Sequence, residues 1–94
     1  MTLKTTRFDP AEYLDTPEAQ AELFSDALES GDAGYITHAL NTIARARGMS
    51  AIAREAGVTR EGLYKSLSPE GDPKLTTLLS VTKALGLKLS AYTA

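Results

Sequence analysis

The chain contains no cysteine and no tryptophan, and it has a single histidine. Without cysteine there is no disulfide, no thiol nucleophile and no thiolate metal site. No apolar run is long enough to span a membrane, and no secretory signal pattern is present, so no membrane partner is expected and a cytoplasmic setting is. The lone histidine, His38, falls beside Ile36 and Leu40 in a helical apolar pattern. There an imidazole is more often surface or satisfied core than a catalytic base. Serines and carboxylates occur, but no pair has the spacing of a dyad. The glycines are scattered as helix stops and do not form a phosphate-cradling loop. Glu70-Gly71-Asp72 alone is a weak metal motif. These gaps argue against an enzyme and against any cofactor or metal.

What remains is ordinary in amount and uneven in placement. At 94 residues, 43% apolar and 23% charged, the chain suits one folded domain with a modest core. The net charge is −2, which is awkward for a nucleic-acid binder until it is divided. Residues 1–48 carry four cationic side chains against eight acidic ones, a net of −4. Residues 49–94 carry six against four, a net of +2. Binding to DNA depends on the local patch more than on the total. An acidic N-terminal half suits a basic protein partner, although a solvated helix face is the commoner origin of such an excess.

Turn chemistry divides the chain into elements. Residues 1–15 read as an arm, with Phe8, Tyr13 and Leu14 as anchors and Pro10 opposing a continuous helix. Thr16-Pro17-Glu18 is a helix start: a cap, a proline in the first turn and a carboxylate near the positive end. That helix runs to about Ser30 on the stripe Leu23, Phe24, Ala27 and Leu28. Asp32 caps a second, about Ala33–Arg47, with Ile36, Leu40, Ile43 and Ala44 inward and Arg45 and Arg47 at its negative end. Two short helices follow, about Ser50–Ala56 and Arg60–Leu67, and then a loop over 68–73. A fifth helix, from Leu75 or Thr76 to Leu85, has Leu75, Leu78, Leu79, Thr82 and Leu85 on one face. Leu87–Tyr92 alternates apolar and polar, as a short strand would. A lone strand needs a partner, and an irregular tail tucking in Leu87 and Leu89 explains the pattern equally well.

The richest stretch is Met49–Leu67. Ala53 is small where two helices must cross closely. Gly57 can take the positive φ that a tight turn requires. Leu63 points back to close a wedge with Ile52, Ala56 and Val58. Thr59 is a good cap for the second helix, leaving Thr59, Arg60, Glu61 and Lys65 on its outer face. In a DNA-binding helix-turn-helix that face enters the major groove. Ala and Gly four apart followed by Leu also occur in ordinary helical hairpins, so the flanking sequence has to decide.

The segments Phe8-Asp9, Tyr13-Leu14, Ala44–Met49, Ile52–Gly57, Arg60, Leu63-Tyr64-Lys65, Leu67-Ser68, Gly71, Pro73 and Ala84–Leu87 occur in that order. Together they resemble the small antidote proteins of bacterial toxin–antitoxin addiction modules, of the HigA-like, Xre-type helix-turn-helix group. The resemblance covers nearly the whole chain. It implies an all-α, five-helix, Xre/lambda-repressor-like domain over 16–94, with the motif at about 49–67 and an arm at 1–15. It further implies an antitoxin that neutralises a RelE/ParE/HigB-like toxin, binds double-stranded operator DNA, represses its own operon and works as a homodimer. Thr59, Arg60, Glu61 and Lys65 match base-reading positions, with Arg60 foremost because its fork can grip guanine O6 and N7 together. Ser50, Arg54, Ser66 and Lys74 match phosphate contacts; Tyr64 could serve either class or simply pack, and packing with its hydroxyl at the surface is the expectation. For the toxin, the acidic residues Glu18, Glu22, Asp26 and Glu29 are the expected surface, with the C-terminal strand on a toxin sheet edge as the alternative. Leu87, Leu89 and Tyr92 offer a surface for two-fold pairing.

The chain departs from that pattern in two ways. Met49 stands where many such motifs have a phosphate-holding glutamine. Gly62 lies inside the reading helix, where it costs about 1 kcal/mol against alanine and leaves space for close approach to DNA or to the preceding helix. A stand-alone prophage-type repressor, and an interaction module without DNA binding, are the competing functions.

Overall fold

The computed structural model describes residues 14–94, which hold five helices and no strand. They are α1 (Pro17–Ser30), α2 (Ala33–Arg47), α3 (Met49–Ala56), α4 (Arg60–Ser66) and α5 (Leu75–Ala84). The expected arm at 1–15, with Phe8, Pro10 and Tyr13, lies outside the described residues except for Leu14 and Asp15.

Local chemistry sets the first boundaries. Thr16 is extended, and its Oγ1 accepts from the Ala19 N–H at 3.1 Å, with Pro17 opening the helix behind it. Asp32 does the same for α2, accepting from the Gly34 N–H at 3.0 Å. Each cap satisfies an amide that the helix itself leaves unpaired. Helices α1 and α2 pack as a hairpin, and α3 packs on both α2 and α5.

One core joins all five helices: Phe24 from α1, Leu40 and Ile43 from α2, Ile52 and Ala53 from α3, Leu63 from α4 and Val81 from α5. Leu14 and Leu85 belong to the same cluster. Each fully buried Leu, Ile or Val contributes about 1.5–3 kcal/mol over its exposed state. Within this core the polar groups are partnered. Buried Thr42 and Thr82 donate their hydroxyls back to the carbonyls of His38 and Leu79.

A different solution serves Gln20, which lies on the buried face of α1 at 4% exposure. Its Nε2 donates to the Leu14 carbonyl at 2.8 Å. Its Oε1 accepts from Arg47 Nη1 at 3.2 Å, and the same Nη1 donates to the Leu85 carbonyl at 3.0 Å. Both N–H bonds of that nitrogen are thus used. Arg47 therefore does more than place charge at the end of α2: it ties α1 and the C-terminal end of α5 to α2.

Two expectations are corrected. The stripe expected on α5 is rotated: Val81, Thr82 and Leu85 are buried and Leu78 half-buried, while Leu75 and Leu79 are 67% and 46% exposed. Helix α5 packs on α3, and Val81 joins the common core there. The expected strand at 87–92 is not formed: the described residues hold no strand, and an edge of unpaired N–H and C=O groups gains nothing without a second strand beside it. Instead the Leu87 N–H closes on the Thr82 carbonyl at 2.9 Å and its side chain packs half-buried on the core. Leu89 and Tyr92 lie outside, at 37% and 87% exposure.

The loop after α4 carries a further constraint. A Cβ on Gly71 would overlap the carbonyl oxygens of Lys65 and Ser66. Only glycine lets this loop lie so close to the end of α4.

Replacing Arg47 by Met, which keeps much of the stem, is expected to lower stability by about 1–3 kcal/mol, since it strands the buried Gln20 oxygen and a charge-assisted bond is lost. Urea unfolding followed by circular dichroism checks this.

Candidate nucleic-acid interface

The presentation of α4 begins with the turn before it. Gly57 has φ 77° and ψ 27°, a left-handed conformation that a side chain would strain. Its N–H donates to the Arg54 carbonyl at 3.2 Å, and the Val58 N–H reaches the Ala53 carbonyl at 3.0 Å. This double closure is the paired arrangement that ends many helices, and half-buried Val58 packs under it. Thr59 is then extended, and its Oγ1 accepts from the Gly62 N–H at 2.9 Å. Ala53 is 3% exposed and Leu63 fully buried where α3 meets α4.

Gly62 has a local explanation. A Cβ at this position would stand 2.9 Å from Thr59 Oγ1. The capping hydroxyl thus lies close against the bare α-carbon of Gly62.

The outer surface of α4 carries the expected reading residues. Thr59, Arg60, Glu61 and Lys65 are all exposed, though the Thr59 oxygen is committed to its cap. Tyr64, at 39% exposure, is not core. Its ring lies under the guanidinium of Arg60, whose central carbon is 5.1 Å from the ring centroid. Arg60 Nη2 also donates to the Tyr64 hydroxyl at 3.4 Å. Of all the candidate reading and phosphate residues, these two are the pair that the fold brings into direct side-chain contact.

The expected phosphate ligands are spread over three helices. Ser50 is exposed in the first turn of α3 and Arg54 in its last. Ser66, half-buried, ends α4. Lys74 is exposed at the N-cap of α5. Helices α3 and α5 have no side-chain cap, whereas α1, α2 and α4 are capped by Thr16, Asp32 and Thr59. The open amides of α3 and α5 thus lie beside Ser50 and Lys74, and such helix ends attract anions.

The acidic candidates share another helix face. Glu18, Glu22, Asp26 and Glu29 are exposed on α1, on the side away from Phe24 and Ala27. Asp26 is the exception in being engaged: its Oδ2 accepts from the Tyr35 hydroxyl of α2 at 2.6 Å. That bond, reinforced by desolvation and by the carboxylate charge, holds the Tyr35 hydroxyl above the usual tyrosine range. Of the tail residues, Leu87 and Tyr92 line an open groove of about 580 Å³ between α1 and the tail, with Phe24, Leu28 and Lys88.

Sequence pattern alone gives neither the Gln20–Arg47 tie nor the Tyr35–Asp26 bond. Gln20 did carry a signal, since it lies four and seven residues before Phe24 and Ala27 and so shares their face. Tyr35 carried none, because its partner is set by the register of the α1–α2 hairpin.

Residues 4–93 match the model of a family described as "Probable addiction module antidote protein". An uncharacterized protein of Haemophilus influenzae is 47% identical over 89 residues, covering 94% of this chain and 91% of that protein. No solved structure matches.

The Tyr35–Asp26 bond needs the neutral phenol. A raised folded-state pKa means its contribution is complete below the ordinary tyrosine value of about 10 and is lost as pH rises through the folded value. Stability measured by denaturation from about pH 9 upward is expected to fall more steeply for the native chain than for Tyr35→Phe. Equal slopes would show that the bond adds nothing.

Proposed function

The chain belongs to the probable addiction module antidote family, and on that premise we propose that it is the antitoxin of a two-gene module that also represses its own operon. An antidote implies a toxin partner. The finer reading is a RelE/ParE/HigB-like toxin held by direct contact with the acidic face of α1, through Glu18, Glu22 and Glu29. Asp26 contributes less, since its carboxylate already serves Tyr35. Residues 16–94 act as an Xre-type, HigA-like unit in which α3 and α4 form a helix-turn-helix.

The observation that supports DNA reading best is the setting of α4. A glycine turn and a threonine cap hold a short helix on α3 by its apolar side, leaving Arg60, Glu61, Tyr64 and Lys65 outward. On this reading Arg60 grips a guanine in the major groove. Ser50, Arg54, Ser66 and Lys74 take phosphates, which position the protein without reading sequence. Two copies bind half-sites about 34 Å apart, joined through Leu89, Tyr92 and the outer side of Leu87, with Leu75 and Leu79 of α5 available to extend the contact. The acidic and basic halves then serve different partners, and the overall charge of −2 is no obstacle.

The deciding experiment is growth after induction of the small reading frame beside this gene, with and without the chain. Toxicity alone and recovery on co-expression are expected. Absence of toxicity, or toxicity without recovery, would contradict the antitoxin role and favour a stand-alone repressor. For the DNA role, Arg60→Ala is expected to weaken operator binding by about 1–3 kcal/mol and to relax selectivity at one base pair. Lys74→Ala should weaken binding evenly across sequences and reduce the salt slope by about 1. Titration against salt with operator and scrambled duplexes checks both.

A further inference from the structure

Resting on the reading of α4 as the helix that meets DNA, we infer that Tyr64 is a positioning residue for Arg60: its ring carries the guanidinium to one place on the face of α4 and so decides which guanine that arginine grips. Arg60 is the first residue of α4, and an unsupported arginine there would sample many rotamers. Helical side chains lean towards the N-terminus, which brings the ring of Tyr64, one turn on, back under Arg60. The guanidinium lies on that ring, 5.1 Å from its centroid. The hydroxyl at the ring's edge, 3.4 Å from Nη2, limits sliding. The fork is therefore held over that ring, on the exposed side of α4. An arginine has more N–H groups than this one contact uses, so an edge remains for guanine N7 and O6. An arginine already held in place also loses less freedom on binding.

The same geometry separates this role from packing. Tyr64 is flanked by Leu63 and Leu67, which supply the core, at 0% and 3% exposure. Its own side chain lies outside, so replacing it leaves the core intact.

The test is selection of bound duplexes from a randomised DNA pool by the full chain and its variants, followed by affinity measurement on the enriched duplex. The native chain is expected to enrich a motif containing a guanine whose selectivity disappears in Arg60→Ala. Tyr64→Leu should bind that duplex about fivefold more weakly and lose preference for the same guanine. Tyr64→Phe, which keeps the ring, should retain the motif. In an Arg60→Ala background, Tyr64→Leu should have no further effect. Selection of the same guanine by Tyr64→Leu with unchanged strength would overturn the proposal, as would an equal loss in both backgrounds, while the DNA-reading role of α4 would stand. A native chain that enriches no motif would remove that role and the proposal together, and this outcome is distinct from the others.

Discussion

The position of α4 depends on how closely it can approach α3. Ala53 and Leu63 are both buried where the two helices meet, and the chain reverses between them through Gly57, whose left-handed backbone a side chain would strain. A larger residue at Ala53 would push the helices apart, and interiors packed at crystal density absorb such changes poorly. Everything presented outward by α4 inherits its position from this contact. The Thr59 cap, the space left at Gly62 and the close loop at Gly71 then fix both ends of a helix of seven residues, a length that would be marginal in isolation.

A second constraint is polar and works at longer range along the chain. Arg47 Nη1 is shared between the side-chain oxygen of Gln20 and the carbonyl of Leu85. One guanidinium therefore links the helix that carries the acidic face to the end of the last helix, next to the tail. Gln20 in turn holds the Leu14 carbonyl, anchoring the described start of the chain. Tyr35 adds a bond from α2 to Asp26 on the other side of α1. The acidic face thus sits on a helix held from two sides.

Much of this was legible in the sequence because it was local. Thr16, Asp32 and Thr59 announce helix starts by a mechanism that involves only a few neighbouring residues. The small–glycine–leucine spacing around Gly57 pointed to a tight turn, and Gly57 does take the left-handed conformation that such a turn uses. What was not legible is decided by tertiary register. On α5, five apolar positions compete for one buried stripe, and packing against α3 chose Val81 and Leu85 over Leu75 and Leu79. The alternation at 87–92 could not distinguish a strand from a tail, since a strand exists only when a second edge lies beside it. The stacking of Arg60 on Tyr64 follows a readable four-residue spacing, but whether the ring turned inward or outward depended on how α4 rolled against the core.

On the proposed function, one small fold carries two separable surfaces: carboxylates on α1 for the toxin and the outer side of α4 for DNA. Glu18, Glu22 and Glu29 mark the first and Glu61 the second, and all four are exposed, so one reagent can report on both. The most direct test is carbodiimide labelling of carboxylates, read by mass spectrometry, for the chain alone, with purified toxin and with operator duplex. Toxin is expected to protect Glu18, Glu22 and Glu29 while leaving Glu61 reactive, and DNA to do the reverse. Protection of Glu61 by toxin with α1 left reactive, or no protection of Glu61 by DNA, would contradict this assignment of surfaces.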